Sequence, residues 1–240
     1  MLRRYTQARI GLPRAGAALT TAELLAFQLA HAQARDAVWR AWEPESYAPA
    51  LREAGIEHMV CATRAPDRAT YLKRPDLGRQ LDAASIPQLT AARTTPAAEV
   101  VVILSDGLSA SAAHEHGLRT VHAILQALHR VGRSCAPLVL AGQARVAVSD
   151  EIGATLGARV AVIVLGERPG LSAPDSLGIY LTHGPKPGNH DAQRNCISNV
   201  REPGGLPPTL AAERLVALLQ RSLALGMSGV QLKEQSLQLP

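Results

Sequence analysis

A segment rich in Gly, Pro and Ser, residues 166–178, begins directly after the apolar run at residues 159–165. Glu167 is the first carboxylate after that run, and its oxygens could accept hydrogen bonds from a ligand. Loops held by a rigid scaffold often carry binding residues. The composition also fits an ordinary connection between a strand and a helix, so both interpretations stay open.

Ser105 and Asp106 follow a second apolar run, residues 100–104. A carboxylate at this point argues against a bound phosphate, because it takes the place that an anion would occupy at a helix N-terminus. The pair suits a ligand that offers neutral donors, such as amides or hydroxyls. Alternatively, one of the two side chains caps the helix that follows.

The cysteines Cys61, Cys135 and Cys196 are far apart in the chain. This spacing fits neither a disulfide framework nor a zinc ribbon, and it favours a reducing cytosol. Cys196 could be a nucleophile, but a small polarizable side chain packed against a ligand or partner is favoured. His114 and His116 would point in different directions on a helix, so no metal site is predicted.

The composition excludes several classes of function. The net charge is +5, but the excess consists of scattered arginines without interleaved aromatic residues, which argues against nucleic-acid binding. The sequence contains no P-loop, no Gly-x-Gly-x-x-Gly turn and no Gly-x-Ser-x-Gly elbow. No secretory signal is recognised, and the longest branched apolar run is too short to span a membrane.

Apolar runs alternate with helical patterns in the second part of the chain, which predicts an α/β fold with an open, mostly parallel sheet flanked by helices, as in Rossmann-like folds. The loops after residues 104, 141 and 165 should then meet at one edge of the sheet. The predicted strands cover residues 100–104, 138–141, 159–165 and 179–182, and the predicted helices cover residues 110–130, 148–157 and 208–225. Ser149 or Asp150 is expected to cap the helix at 148–157, and Gly157 to end it.

The first part, residues 1–95, is predicted to be a helical region distinct from an α/β domain at residues 96–240. Thr20 and Glu23 have the spacing of a capping box and introduce a helix over residues 21–42. Shorter helices are expected within residues 45–72. Prolines then punctuate a connector with short helical turns.

Three strings carry a family resemblance: Ser-Asp-Gly-Leu-Ser at 105–109, Gly-Glu-Arg-Pro-Gly-Leu-Ser at 166–172 and Arg-Asn-Cys-Ile-Ser-Asn at 194–199. With shorter matches near residues 8–16 and 27–38, the chain resembles the small (light) subunit of ethanolamine ammonia-lyase. The resemblance implies a hetero-oligomer with a larger TIM-barrel subunit and adenosylcobalamin held between the two. It also implies radical conversion of ethanolamine to acetaldehyde and ammonia.

The family's cobalamin contacts fall on Val146, Glu167 and Cys196, and we add Ser105 and Asp106 from their place in a strand-end loop. In this interpretation residues 1–95 contact the large subunit and residues 96–240 contact cobalamin. The resemblance places the substrate and radical residues mostly in the large subunit, so no catalytic residue is assigned. The motif that supplies a protein imidazole to cobalt is absent from the sequence, which fits a cofactor that keeps its own axial base.

Some features depart from the family pattern. Pro13 stands where the family's early motif has Gly, and many members have a longer N-terminus associated with packaging into a bacterial microcompartment. The expected location is therefore the cytoplasm, with packaging left open. Two other functions also stay open, namely a nucleotide-binding α/β enzyme that acts alone and a structural subunit without a ligand.

Overall fold

The computed structural model describes residues 8–232 of the 240-residue chain. Its strands are β1 Arg14–Ala15, β2 Ala18–Leu19, β3 His58–Ala62, β4 Val100–Ser105, β5 Leu138–Gly142, β6 Val160–Gly166, β7 Leu177–His183 and β8 Arg194–Val200. Its α-helices are α1 Thr21–Trp39, α2 Ala48–Glu53, α3 Arg68–Lys73, α4 Ile86–Ala91, α5 Ala110–Ala112, α6 Leu118–Arg130, α7 Val148–Leu156 and α8 Pro208–Leu225.

Six of these strands form one sheet in the order β3-β5-β4-β6-β7-β8, and β1 pairs with β2 in a separate hairpin. The first four strands of that order run parallel, whereas β7 and β8 are antiparallel to their neighbours. The predicted open, mostly parallel sheet is therefore confirmed. The run at 179–182 is a strand as expected, and it lies within antiparallel β7.

Both faces of the central strands are buried. Val101 and Ile103 of β4 belong to the core under α4 and α7, whereas Val102 and Leu104 belong to the core under α6 and α8. Successive side chains of a strand point to opposite faces, so one continuous apolar run serves both cores.

On the face that carries α7, the central strands are buried, but part of β7 and β8 is accessible. Ile179 of β7 and Ile197 of β8 pack into the core on the α6 and α8 face, so Tyr180 and Cys196 point to the α7 face. Tyr180 is half-buried and Cys196 is exposed. We call the strip of Gly178, Tyr180 and Cys196 the β7–β8 shelf; Gly178 is buried, and Tyr180 and Cys196 are its accessible part.

Most of the predicted helices are confirmed. Helix α1 spans residues 21–39 rather than 21–42, and the Thr20 hydroxyl accepts a hydrogen bond from the backbone N–H of Glu23 at 3.4 Å. A π-helical segment, Ala113–Gly117, joins α5 to α6, so residues 110–130 form one helical stretch as expected. Helix α8 has the predicted bounds.

The predicted start of α7 is wrong in its cap. Ala147 occupies the N-cap position, and neither Ser149 nor Asp150 caps the helix. The Ser149 hydroxyl instead donates to the Val146 carbonyl at 2.7 Å, and the Asp150 carboxylate pairs with Arg194 of β8. The helix ends at Gly157, whose φ of 72° closes it in the left-handed conformation as expected.

One strand falls where helices were expected. Within residues 45–72 the chain forms helical segments, but His58–Ala62 is β3, which pairs in parallel with β5 along the edge of the sheet. The sheet therefore includes a strand from before residue 96. Within residues 8–232 no helix combines the length and the hydropathy that crossing a bilayer requires.

Candidate functional site

The loops after β4, β5 and β6 meet at the carboxyl edge of the sheet. The Ser105 hydroxyl accepts a hydrogen bond from the backbone N–H of Ala144 at 3.3 Å. The backbone N–H of Leu108 donates to the Gly166 carbonyl at 2.8 Å. Because β4 lies between β5 and β6 and all three are parallel, their ends had to converge here, as the sequence predicted.

Two glycines allow the β4 and β6 loops to approach this closely. Gly107 has a φ of +51°, and a Cβ on it would lie 2.3 Å from the carbonyl oxygen of Gly166. A Cβ on Gly166 would lie 2.1 Å from the carbonyl oxygen of Ser109. Any side chain at either position would push the two loops apart.

Asp106 lies fully buried beneath this junction. Its Oδ1 accepts hydrogen bonds from the backbone N–H of Gln143 at 2.8 Å and from the Ser105 hydroxyl at 3.1 Å. Its Oδ2 accepts one from Nη1 of Arg68 at 2.8 Å. Burial raises the pKa of Asp106, and Arg68 and the Gln143 N–H act in the opposite direction.

Arg68 joins this carboxylate to the N-terminal part of the chain. Its Nε donates to the Val38 carbonyl in α1 at 2.6 Å, and its Nη1 also donates to the Gly107 carbonyl at 2.7 Å. The Arg68 side chain is 10% exposed. Arg68 could not be identified from the sequence, because nothing near it marks a partner 38 residues away.

Ser105 and Asp106, both predicted to contact a ligand, are therefore bonded to protein groups and fully buried. Neither is the helix cap that was the alternative interpretation. Ser109 takes that position, where its Oγ accepts from the backbone N–H of Ala112 at 3.2 Å and donates to the Pro174 carbonyl at 2.6 Å. Ser105 and Asp106 thus hold the loops after β4 and β5 in shape through buried hydrogen bonds.

Glu167 follows β6 directly and lies beside the β7–β8 shelf. Its Oε2 accepts hydrogen bonds from the Ser176 hydroxyl at 2.5 Å and from the backbone N–H of Asn199 at 3.3 Å. Its Oε1 has no hydrogen-bond partner among residues 8–232, and it would lie 3.0 Å from a Cβ on Gly178. The carboxylate is thus oriented by one oxygen while the other stays available as an acceptor.

Cys196 and Tyr180 are directly opposite each other on β8 and β7. Burial is the main cause that raises the pKa of Tyr180, followed by its neighbours Cys196 and Glu167. The Cys196 thiol lies 3.2 Å from the Ser198 hydroxyl. The structure therefore brings Glu167 and Cys196, predicted separately, to the same strip of the sheet around Tyr180, which sequence reasoning missed.

Val146 lies in the loop between β5 and α7, on the same side of the sheet. Its partly buried side chain packs against the core under α7, as does that of Tyr180. Val146 also lines a groove of about 470 Å³ with Arg79, Arg145 and Asp191. Val146 therefore lies on the same face of the sheet as the shelf but outside it.

A buried network holds the far end of the loop that Glu167 begins. Arg119 donates to Nδ1 of His116 at 3.1 Å, so Nε2 carries the hydrogen that is donated to Asp175 at 3.0 Å. Arg201 donates to the other Asp175 oxygen at 2.8 Å. Both ring nitrogens of His116 are thus hydrogen-bonded. The network connects the loop that Glu167 begins to the helical stretch at 110–130 and to Arg201, the residue after β8.

The Asp175 network leads to a prediction about pH. Burial raises the pKa of Asp175, but the hydrogen bonds from His116 and Arg201 outweigh it and hold the pKa below its usual value. Because its pKa is lower in the folded state, the ionised Asp175 carboxylate stabilises the fold at pH values above its unfolded-state pKa of about 4. This contribution to the free energy of unfolding is lost as the pH falls through the folded-state pKa. We expect Asp175→Asn to reduce the fall in unfolding free energy on acidification.

The measurement is urea denaturation of both proteins at about pH 7 and about pH 3. Asp36→Asn serves as the control, because the Asp36 side chain is 71% exposed and, among residues 8–232, pairs only with its neighbour Arg35. An identical pH dependence in wild type and Asp175→Asn would contradict the prediction.

Comparison with known proteins identifies the family. The sequence model of the ethanolamine ammonia-lyase light chain family (EutC) matches residues 1–233. The ethanolamine ammonia-lyase small subunit of Azotobacter vinelandii is 49% identical over 237 residues, 98% of this chain and 87% of that protein. Those of Ralstonia nicotianae and Pseudomonas putida are 48% and 47% identical, cover 97% and 98% of this chain and are each matched over 87% of their own length. The chain therefore belongs to the ethanolamine ammonia-lyase small (light) subunit family, a family of lyase subunits.

Proposed function

We propose that this chain forms one wall of the adenosylcobalamin site of an ethanolamine ammonia-lyase, with a large catalytic subunit closing the other side. The enzyme converts ethanolamine to acetaldehyde and ammonia. The cofactor supplies radical chemistry through homolysis of its cobalt–carbon bond. This chain binds and orients the cofactor, and the residues that act on the substrate belong to the large subunit.

The observation that carries this proposal is the geometry of Glu167. The rim of a corrin ring bears neutral amide groups, and a site for them needs acceptors more than positive charge. Oε1 of Glu167 has no partner among residues 8–232, while Oε2 is fixed by Ser176 and Asn199. An acceptor that is already oriented loses little conformational freedom when it binds an amide.

The other predicted contacts fit the same ligand. Cys196 offers a small polarizable side chain on the exposed shelf, and Val146 offers aliphatic carbon in the adjoining loop. Ser105 and Asp106 contribute from beneath, because their hydrogen bonds hold the β4 and β5 loops together. In this proposal the site is the α7 side of the carboxyl edge.

We assign docking of the large subunit to the N-terminal region, residues 1–95. Helix α1 supports this assignment, because it leaves five large apolar side chains unusually exposed. They are Leu24 at 45%, Leu25 at 59%, Phe27 at 39%, Leu29 at 60% and Trp39 at 55%. Large apolar side chains exposed on one helix are typical of a protein–protein interface. The free thiols Cys61, Cys135 and Cys196 suit a location in the bacterial cytoplasm, either free or packaged into a microcompartment.

The test is an adenosylcobalamin titration of this chain alone, of the large subunit alone and of the two combined. We expect tight binding and acetaldehyde production only in the combination. Glu167→Ala should weaken cofactor binding in the complex by about 1–3 kcal/mol, because buried ligand donors lose their acceptor. Glu213→Ala is the control, since Glu213 is exposed on α8 over the opposite face of the sheet.

Other outcomes of the titration would contradict the proposal or favour another function. Turnover by the isolated chain, or an unchanged cobalamin dissociation constant in Glu167→Ala, would contradict the proposal. Tight binding of NAD or ATP by this chain alone would favour a nucleotide-binding enzyme. If the two subunits form a complex but the large subunit alone binds cobalamin equally well, the result would favour a structural role for this chain.

A further inference from the structure

A groove of about 470 Å³ on the α7 side of the sheet contains Arg145, a cation without an ion-pair partner within residues 8–232. Its walls are the segment at 75–79, the loop before α7 and Asp191. Arg145 and Val146 line it together, so the groove begins where the proposed corrinoid contact ends. The proposed function assigns no role to Arg145.

The Tyr71 ring holds Arg145 in place, and no described residue forms an ion pair with it. The guanidinium carbon lies 5.0 Å from the centre of the Tyr71 ring, which is fully buried and fixed by a hydrogen bond from its hydroxyl to the Ala144 carbonyl. Nε of Arg145 is buried without a hydrogen-bond partner, and no ion pair joins the guanidinium to any residue within 8–232. Stacking on an aromatic ring orients the fork of donors for an incoming acceptor.

The other charges of the groove are already paired. Asp76 is bound by Arg74 through two hydrogen bonds of 2.9 and 2.7 Å. Asp191 lies 3.9 Å from Arg79 and 3.4 Å from Arg194. Arg145 also stands just before α7, whose N-terminal end carries a partial positive charge. The groove is therefore suited to an anion at Arg145.

We propose that Arg145 binds the phosphodiester of the cobalamin nucleotide tail, with the tail lying in this groove beside Val146. The inference rests on the proposed function, because it takes the corrin ring to lie on the shelf. A guanidinium matches two phosphate oxygens in one plane, and this contact discriminates a corrinoid with a nucleotide tail from one without it.

The experiment compares two cofactors on the reconstituted complex of both subunits: adenosylcobalamin, which has the phosphodiester, and adenosylcobinamide, which lacks the nucleotide. Arg145→Gln should weaken adenosylcobalamin binding by about tenfold or more, as expected for a lost charge-assisted hydrogen bond. Adenosylcobinamide binding should stay unchanged. Arg130→Gln is the control, because Arg130 is exposed at the end of α6.

The outcomes separate this inference from the proposed function. An equal effect of Arg145→Gln on both corrinoids, or no effect on either, would overturn the inference and leave the shelf in place. A wild-type complex that binds neither corrinoid would overturn the proposed function itself. Thermal unfolding of the isolated variant detects any loss of folding, and Arg145→Lys, which keeps the charge, should retain part of the preference for adenosylcobalamin.

Discussion

Replacing Arg194 with alanine is expected to lower the free energy of unfolding by about 3–5 kcal/mol. Nη1 and Nη2 of Arg194 donate to the two oxygens of Asp150 at 2.9 and 2.7 Å, and the side chains are 2% and 3% exposed. Further hydrogen bonds reach the Thr182 hydroxyl and the Asn189 carbonyl. Without the guanidinium, Asp150 would remain as a buried charge with no counterion.

Urea denaturation of the isolated chain measures the effect, and a double-mutant cycle assigns its cause. The double variant Arg194→Met and Asp150→Leu removes both charges, so it should cost less than the sum of the two single changes. Strictly additive losses would show that the two side chains do not act as a pair. The exposed Arg130→Gln should leave stability nearly unchanged.

Asp106→Ala is expected to have a comparable effect, about 3–5 kcal/mol, because it leaves the Arg68 guanidinium largely buried without its carboxylate. The Gln143 N–H and the Ser105 hydroxyl lose an acceptor at the same time. Since these groups hold the β4 and β5 loops together, cobalamin binding in the complex should weaken too.

Asp106→Asn separates the two consequences. An asparagine keeps the shape and one acceptor oxygen, so the loop geometry should survive better than in Asp106→Ala, while the ion pair with Arg68 is lost in both. We expect stability between those of wild type and Asp106→Ala. Full stability in Asp106→Ala, measured by urea denaturation, would show that Arg68 finds other partners and that the prediction is wrong.

The central strands could be predicted because their signal is local. The run at 100–104 is apolar at every position, and only a strand buried on both faces needs that pattern at such a length. β3 and β8 have no such signal. His58–Ala62 lies along one edge of the sheet and Arg194–Val200 along the other, and their pairing with neighbours, rather than their own composition, makes them strands.

The candidate site, like the sheet, could be predicted from the sequence only where the signal is local. Parallel strands place their carboxyl ends at one edge, so Glu167 could be expected there from its position alone. The partners of Asp106 and the stacking of Arg145 on Tyr71 depend on packing between segments far apart in sequence. Only the tertiary structure distinguishes a carboxylate with one unbonded oxygen, as in Glu167, from one whose two oxygens are both bonded to protein groups, as in Asp106.

Arg68 connects α1 to the strand-end loops through the Val38 carbonyl at one end and Gly107 at the other. If the large subunit docks on α1, the two binding events share this side chain. Linkage then requires reciprocity: whatever factor docking adds to the affinity for the corrinoid, the corrinoid adds to the affinity between the subunits. Under that condition, Arg68→Ala is expected to weaken the coupling between assembly and cofactor loading.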